Sequence, residues 1–230
     1  MEDMIYAEIK RIKSDISSFV IRLQEYAGEH DAVLEETDKQ FFSVIAKHIV
    51  FWKYIVFPNN LGRFYRVLIS DGYNYIISII KNEIRYIYVN ERSIIENYIR
   101  LIINKTLEED HVTDKIFSEI KQCKYLFEFT EDEFSLIKSE YSVSCSYVHG
   151  GSYLDENLVY GFDECIKNEK TLKNKNKYYA RICRMLKILD KMLISTYTDE
   201  ISGSFFRKKS VLEYLMGKDC LELLFAEKSN

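Results

Sequence analysis

Apolar side chains recur at three- and four-residue steps along most of this chain, which is the spacing of one face of an α-helix. The first such stripe runs from about Ile5 to Tyr26, and Gly28 ends it. The strict two-residue alternation of a half-buried strand is absent. One proline and eight glycines in 230 residues supply too few turn signals for an all-β chain. The pattern therefore predicts an all-α fold.

The remaining helices follow from the same spacing and from breaker residues. Breaks are expected at Pro58-Asn59-Asn60, at Ser70-Asp71-Gly72 and at Ser202-Gly203-Ser204. The polar stretch 152–176 is expected to be a surface crossover that carries a short helix. After the first helix, the predicted helices span residues 31–57, 61–69, 73–106, 112–127, 131–149, 178–197 and 210–226.

The predicted helix 131–149 has the clearest start. Thr130 is an N-cap residue and Glu133 occupies the third helical position, which together form a capping box. Gly150-Gly151 is expected to end this helix.

Composition and charge narrow the class of protein. A hydrophobic fraction of 47% with 30% charged residues is typical of a folded globular chain. The net charge of −4 argues against nucleic-acid or membrane binding through overall charge, so any polyanion must be met by a local basic patch. The five cysteines form no CxxC pair and no Cys/His cluster, so we expect no metal site. The tyrosines and phenylalanines are mostly at core positions of helices, so no cofactor is expected either. Their odd number, an N-terminus without an export signal and the lack of a membrane-length apolar run predict a cytoplasmic, non-membrane protein.

Two segments on predicted core helices carry candidate chemistry, although phosphate-loop, GxSxG and HExxH motifs are missing. In Arg92-Ser-Ile-Ile-Glu96, the arginine and the glutamate share a helix face at the edge of an apolar arc. In the helix 131–149, His149 lies in the last turn, just beyond the apolar arc. Each segment has a structural alternative, namely an ion pair at the rim of the core and a polar residue at a helix end.

Together these segments resemble the HEPN superfamily (higher eukaryotes and prokaryotes nucleotide-binding), particularly its small bacterial members. The resemblance rests on the R-S-I-I-E pattern in one long helix and on a second helix that ends Y-S-x-x-x-S-Y-V-H-G, and it covers about residues 60–152. It implies a helical bundle that dimerises. For many members it also implies a metal-independent ribonuclease of toxin–antitoxin, abortive-infection or other prokaryotic defence systems.

The usual HEPN motif is an arginine followed, after four to six residues, by a histidine. In this chain the corresponding positions 142–144 before His149 hold serine, valine and serine, so that arginine is absent. If the resemblance holds, Arg92 from the other helix would supply the cation, with Glu96 fixing its orientation. His149 would then act as general base or acid on an RNA 2′-hydroxyl while Arg92 stabilises the charged phosphorane. We therefore expect these three side chains to converge.

Basic residues indicate a path for a phosphate backbone. One set forms a stripe on the helix 178–197, and a second set follows Phe205-Phe206, whose rings would stack on bases. A solvated helix face and a loop-to-helix junction are the structural alternatives. The RNA-binding candidates are Arg181, Arg184, Lys187, Lys191, Arg207, Lys208 and Lys209. His30, His48 and His111 have no partner nearby in the sequence, and no role is predicted for them.

We expect one helical domain over residues 1–230, with a HEPN-like core at about 60–152 and flanking helices at 1–57 and 178–226. The first hypothesis is an RNA-directed protein of a prokaryotic defence or toxin system, a ribonuclease with a divergent site. It would act as a homodimer, alone or with a protein partner encoded nearby. The alternatives are a non-catalytic module that binds a partner or a nucleotide, and a structural helical subunit of a larger assembly.

Overall fold

The computed structural model describes residues 2–55, 62–106, 114–122, 129–149, 157–167, 172 and 174–226. Within these ranges every regular element is an α-helix, so the predicted all-α fold is confirmed. The eleven helices of these ranges are α1 (Glu2–Gly28), α2 (Glu36–Tyr54), α3 (Gly62–Ile80), α4 (Ile84–Thr106), α5 (Asp114–Gln122), α6 (Glu131–His149), α7 (Leu158–Lys167), α8 (Lys175–Thr196), α9 (Thr198–Ser204), α10 (Lys209–Met216) and α11 (Lys218–Ala226).

Helices α3 and α4 form an antiparallel hairpin whose turn lies at residues 81–83, so the break predicted at residues 70–72 was wrong. Asn82 adopts the left-handed conformation with φ 55°. The N–H groups of Asn82 and Glu83 donate to the carbonyls of Ile79 and Ser78. These two bonds form a Schellman motif in which asparagine takes the usual place of glycine. The turn contains neither glycine nor proline, which is why breaker residues did not predict it.

Gly72 serves packing instead of a turn. It lies inside α3 against α2, where a Cβ atom would sit 3.0 Å from Ile49 Cγ1 and 3.3 Å from Trp52 Cζ3. The missing side chain lets the two helices approach closely.

The C-terminal region departs from expectation at two points. Helix α9 runs through residues 202–204, where a loop was predicted, because glycine and serine weaken a helix only modestly and Ile201 anchors this one in the core. The single helix predicted over 210–226 is divided into α10 and α11 at Gly217. The φ of 88° at Gly217 is a conformation that side-chain-bearing residues rarely adopt.

The start of α6 confirms the predicted capping box. The Thr130 hydroxyl accepts from the Glu133 N–H at 3.2 Å, and the Glu133 carboxylate accepts from the Thr130 N–H at 2.8 Å. The short helix predicted within the crossover is α7. The breaks predicted at Pro58-Asn59-Asn60 and at Gly150-Gly151 lie outside the described residues.

One hydrophobic cluster joins the long helices. Helix α4 packs against α3, α6 and α8, whereas α2 packs against α1, α3, α8 and α10. Helices α2 and α8, which were expected to flank a core at 60–152, therefore contribute to the same core. Among the described residues, none of the helices is long and apolar enough to cross a membrane.

A buried carboxylate ties three of these helices together. Asp190 of α8 accepts a hydrogen bond from Tyr98 of α4 at 2.6 Å, and its other oxygen lies 2.9 Å from Nε2 of His48 on α2. Nδ1 of His48 lies 2.8 Å from the Val44 carbonyl. Because both ring nitrogens face acceptors, His48 is positioned as an imidazolium. Burial opposes that charge, but the Asp190 carboxylate outweighs it and raises the pKa of His48.

Replacing Gly72 by valine should lower the free energy of unfolding by about 1–3 kcal/mol, because the new side chain overpacks the contact between α2 and α3. The matched control is Gly203→Val in α9, where a Cβ atom meets nothing within 4 Å. Urea denaturation of both variants measures the difference. Equal stability of the two variants would contradict the packing role of Gly72.

The pair of His48 and Asp190 should make stability depend on pH in a defined direction. Because folding raises the pKa of His48, its stabilising contribution is complete below about pH 6.5 and is lost as the pH rises through the folded-state pKa. The free energy of unfolding should therefore be higher for the wild type than for His48→Gln near about pH 5.5, and this difference should shrink toward about pH 9. Urea titrations across this range test the trend. His30→Gln, at an exposed ring, should show none, and an advantage that grows with pH would contradict the pairing.

Candidate functional site

Arg92, Glu96 and His149 meet where the C-terminal end of α6 lies against α4. Nε of Arg92 donates to Oε1 of Glu96 at 2.7 Å, and Nη1 of Arg92 lies 2.9 Å from Nε2 of His149. Since α4 and α6 run antiparallel, the last turn of α6 reaches an early turn of α4. The structure thus brings together the three side chains that the sequence predicted to converge, while their catalytic role stays a prediction.

Glu96 holds the guanidinium of Arg92 in place. Its second oxygen accepts from Arg100 at 2.9 Å, and its first oxygen also accepts from the Tyr141 hydroxyl at 3.1 Å. The Glu96 side chain is only 13% exposed, so these hydrogen bonds lie in poorly solvated surroundings, where they are strengthened. Burial would lower the pKa of Arg92, but the Glu96 carboxylate raises it, and Arg92 is a permanent cation.

The contact between Arg92 and His149 defines which ring nitrogen of His149 carries a lone pair. A guanidinium only donates hydrogen bonds, so Nε2 of His149 must accept through its lone pair. An anion that draws the guanidinium toward itself would release this lone pair. The exposed imidazole can then accept a proton from an incoming hydroxyl group.

Two aromatic rings lie next to the cluster of Arg92, Glu96 and His149. Tyr147, two residues before His149, stacks on Tyr88 of α4 with ring centroids 3.9 Å apart, and it is 40% exposed. Arg85 of α4 donates to the Val148 carbonyl at 3.3 Å, which adds a second cation at the end of α6. An exposed aromatic face beside cations is the combination on which nucleobases stack in single-stranded nucleic acid sites.

A second carboxylate is buried one residue before Arg92. Glu91 is 1% exposed and accepts hydrogen bonds from Tyr178 of α8 at 2.6 Å and from Ser144 of α6 at 2.9 Å. Burial raises the pKa of Glu91 to about 7, although both hydrogen bonds oppose the rise. Glu91 therefore exchanges its proton near neutral pH while it joins the three helices around the candidate site.

Arg181, predicted to bind RNA, is partly exposed and pairs with a buried carboxylate. Its Nη2 donates to the buried Glu140 carboxylate at 3.1 Å, and its Nε is buried without a hydrogen-bond partner in the described part of the chain. Burial raises the pKa of Glu140, and the Arg181 charge offsets part of that rise. Arg181 thus compensates a core carboxylate of α6.

The other residues of the predicted basic stripe point to solvent, and two of them contact acids. Lys187 pairs with Asp219 at 2.6 Å, and Lys191 lies 3.8 Å from Glu133. Arg184 is exposed. The structure therefore places most of this stripe in contact with carboxylates of α6 and α11.

In the second predicted basic set, each of the three cations lies over a different aromatic ring. Only one of the two rings expected to stack on bases is accessible, because Phe206 is exposed and Phe205 is buried. The cations and their distances to ring centroids are Arg207 over Phe206 at 5.1 Å, Lys208 over Tyr54 at 5.2 Å and Lys209 over Phe225 at 3.6 Å. This set therefore forms separate cation–aromatic contacts.

Sequence reasoning missed the buried groups His48, Asp190 and Glu91. The partners His48 and Asp190 lie 142 residues apart, and Glu91 and Tyr178 lie 87 residues apart. The available signal was an acidic residue inside an apolar helical stripe, as for Asp190 directly after Ile188-Leu189. In the ranges that the structure describes, no group of three or more His, Cys, Asp or Glu residues is arranged to hold a metal ion.

The fold and the site define an all-α protein with an arginine–glutamate–histidine cluster at a junction of two helices. Comparison with family models, with curated proteins and with solved structures found no match. The resemblance to HEPN proteins therefore rests on the residues of α4 and α6 themselves.

In the wild type, the free energy of unfolding should fall as the pH rises through the pKa of Glu91, and Glu91→Gln should remove this decrease. An acid whose pKa is raised on folding from 4.5 to about 7 destabilises the fold progressively across that range. The neutral amide removes this effect, so the variant should gain on the order of 3 kcal/mol relative to the wild type between about pH 4.5 and pH 8. Urea denaturation at both pH values measures the gain.

The matched control for Glu91→Gln is Glu213→Gln, which changes an exposed carboxylate of α10 in the same way. It should leave the pH dependence of unfolding unchanged. A Glu91→Gln profile parallel to that of the wild type would show that Glu91 titrates normally in the fold.

Proposed function

We propose that this protein acts on RNA as a metal-independent ribonuclease of the HEPN type, in a prokaryotic defence, abortive-infection or toxin–antitoxin system. The observation that carries the proposal is the distance of 2.9 Å between Nη1 of Arg92 and Nε2 of His149. It places a permanent cation beside a proton acceptor at an exposed position. Cleavage of a phosphodiester by its neighbouring 2′-hydroxyl needs these two groups.

In the proposed reaction, His149 takes the proton of a ribose 2′-hydroxyl. The 2′-oxygen attacks the adjacent phosphorus, and the bond from phosphorus to the 5′-oxygen of the next nucleotide breaks as that oxygen takes up a proton from water. The His149 imidazolium then returns its proton to solvent. Arg92 stabilises the negative charge on the non-bridging oxygens, and Glu96 positions Arg92. The products are a 2′,3′-cyclic phosphate and a 5′-hydroxyl end.

Arg92 on α4 replaces the arginine that HEPN proteins usually carry on the helix of the histidine. The antiparallel packing of α4 against α6 supports this substitution, because it brings Arg92 within hydrogen-bond distance of His149. The half-exposed Tyr147 next to the cluster would stack on a base of the bound RNA. Exposed Arg184 and Arg207 are the proposed contacts to the flanking phosphates.

We also propose that the protein works as a homodimer in which two α6 ends face a shared cleft. The support is the apolar surface of α7, the described helix that follows α6 in the chain. Its exposed apolar side chains are Leu158, Val159, Tyr160 and Phe162. A patch of this kind is typical of an association surface.

A non-catalytic HEPN-like binding module is the second candidate function. It is favoured by the missing motif arginine and by the three hydrogen bonds that hold Glu96 to Arg92, Arg100 and Tyr141. Such a network would also suit a site that binds RNA, a nucleotide or a protein partner without cleavage.

The purified protein should cleave single-stranded RNA in EDTA and leave 2′,3′-cyclic phosphate ends, detected by mass spectrometry. His149→Ala should slow cleavage by about 10²–10⁴-fold, because it removes the proton acceptor. Arg92→Ala should slow it by about 10²–10³-fold, because it removes the charge that stabilises the phosphorane. His30→Ala and Arg22→Ala are the matched controls at exposed positions that the proposed site does not use, and both should cleave at the wild-type rate.

Cleavage by His149→Ala and Arg92→Ala at the wild-type rate would overturn the ribonuclease. The absence of cleavage by the wild type, alone and with its genomic neighbour, would replace it with the binding module. A thermal melt accompanies each variant, since unfolding of Arg92→Ala would show that its pair with Glu96 is structural.

A further inference from the structure

A cleft of about 550 Å³ opens where α1, α2 and the segment from α9 to α10 meet. Among the described residues, its lining contains three cations, Arg11, Lys53 and Lys208, and one carboxylate, Asp15. The protein as a whole carries a net charge of −4, so a lining of this composition is a local reversal of sign. The cleft consists of segments that the Arg92 and His149 cluster does not use.

Two of the three lining cations keep their charge available to a ligand. Within the described residues, no carboxylate lies at ion-pair distance from Arg11 or Lys53, and Lys53 donates only to the Tyr73 hydroxyl, at 2.9 Å. Lys208 instead pairs with Glu8 at 3.0 Å.

The carboxylate of Glu8 is itself fully engaged. Besides the Lys208 ammonium, it accepts a hydrogen bond from the Tyr54 hydroxyl at 2.6 Å. Burial opposes its charge, but these two hydrogen bonds, together with the positive charges of Lys208 and Arg11, prevail and lower the pKa of Glu8. Glu8 is therefore held as a carboxylate mainly by Tyr54 and Lys208, and it acts on Arg11 only from beyond ion-pair distance.

The positive charge extends along α1 and α2 beyond the cleft. Lys13 and Lys47 both approach the ring of Tyr214, at 5.2 and 4.3 Å from its centroid. In the part of the chain that the structure describes, neither has a carboxylate at ion-pair distance. Burial lowers the pKa of Lys47, and repulsion by the nearby Lys13 ammonium adds to this effect. A bound anion would relieve this repulsion.

The rest of the lining selects among anions. Ile12 and Val50 provide an apolar wall, and a cleft of about 550 Å³ falls within the size range of small-molecule sites. Asp15 only accepts hydrogen bonds when ionised, so it repels a bare phosphate ion but accepts from sugar hydroxyl groups. The lining therefore favours an anion that also carries hydroxyl groups and a flat apolar part.

We propose that this cleft binds a ribonucleotide. The phosphate lies against Arg11 and Lys53, a ribose hydroxyl donates to Asp15, and the base packs on Ile12 and Val50. A free nucleotide and the 5′-phosphorylated end of an RNA chain present the same chemistry. The site goes beyond the proposed ribonuclease and does not depend on cleavage at His149.

Isothermal titration of the full chain with AMP, GMP, CMP and UMP tests the proposal, with inorganic phosphate and a 5′-phosphorylated RNA octamer as further probes. At least one nucleotide should bind with a Kd below about 1 mM, and more tightly than phosphate. Arg11→Gln and Lys53→Gln should each weaken that binding by about 5–10-fold, because each removes a charged hydrogen bond to the phosphate. Both side chains are exposed, so the fold should persist.

The matched control is Lys10→Gln, which removes the same charge from the neighbouring position of α1, outside the lining. It should change nucleotide affinity by less than about 2-fold. Asp15→Ala should weaken the binding of the nucleotide, because it removes the acceptor for a ribose hydroxyl. The same change should strengthen the binding of inorganic phosphate, because it removes a repelling charge. His149→Ala should bind like the wild type, which separates this site from the proposed ribonuclease.

The octamer is titrated into His149→Ala, which should not cleave it, and only the binding that Arg11→Gln weakens is assigned to this cleft. If that binding is tighter than that of any free nucleotide, the ligand is an RNA end, and if it is equal or weaker, the ligand is a free nucleotide. Three results would overturn the proposal. These are no nucleotide or RNA bound below about 1 mM, equal effects of Arg11→Gln and Lys10→Gln, and phosphate bound as tightly as the nucleotides.

Discussion

The Asp190 carboxylate on α8 is the group on which the arrangement of the central helices depends. It is 2% exposed, and a charge buried so deeply is tolerated only when it is paired and hydrogen-bonded. His48 supplies the pair from α2 and Tyr98 the hydrogen bond from α4, with Trp52 donating to Tyr98 in turn. Breaking such a pair costs about 3–5 kcal/mol, so the apolar packing must keep these three helices in register.

Helix α4 carries the residues that link this arrangement of helices to the candidate site. Successive residues of a helix point about 100° apart, so the residues of one turn of α4 contact several neighbouring helices. Glu91 contacts α6 and α8, Arg92 contacts the end of α6, and Ser93 donates to Asp71 of α3 at 2.7 Å. The position of Arg92 beside His149 is therefore held by the same contacts that hold the core. A cation and an imidazole on a rigid support suit the proposed reaction, in which stabilisation of charge depends on preorganised groups.

Charge in this protein is organised locally. Most cations of α8 contact carboxylates, whereas Arg92 is directed by Glu96 toward an exposed imidazole, and Arg11 and Lys53 face an open cleft. An acidic protein with two such places can meet an anionic ligand without attracting polyanions over its whole surface. The helical stripe of basic residues, which looked like a phosphate path in the sequence, is for the most part neutralised by its neighbours.

The sequence by itself determined what depends on one helix at a time. The 3.6-residue repeat predicted the all-α fold, and it placed Arg92 and Glu96 on one face and the capping box of Thr130 and Glu133 at the start of α6. It also placed His149 at the edge of an apolar arc, so the candidate site was predictable as a pair of segments. These features follow from hydrogen bonds and side-chain directions within about four residues, which the local sequence encodes.

Only the tertiary structure decided how the helices meet. Gly72 looked like a turn and is a point of close contact with α2, while the actual turn at Asn82 uses a left-handed asparagine. His48 had no partner nearby in the sequence and finds Asp190 at a separation of 142 residues. A buried charge is compensated by whichever helix face packs against it, and that choice is set by the packing of the whole core, which no local pattern contains.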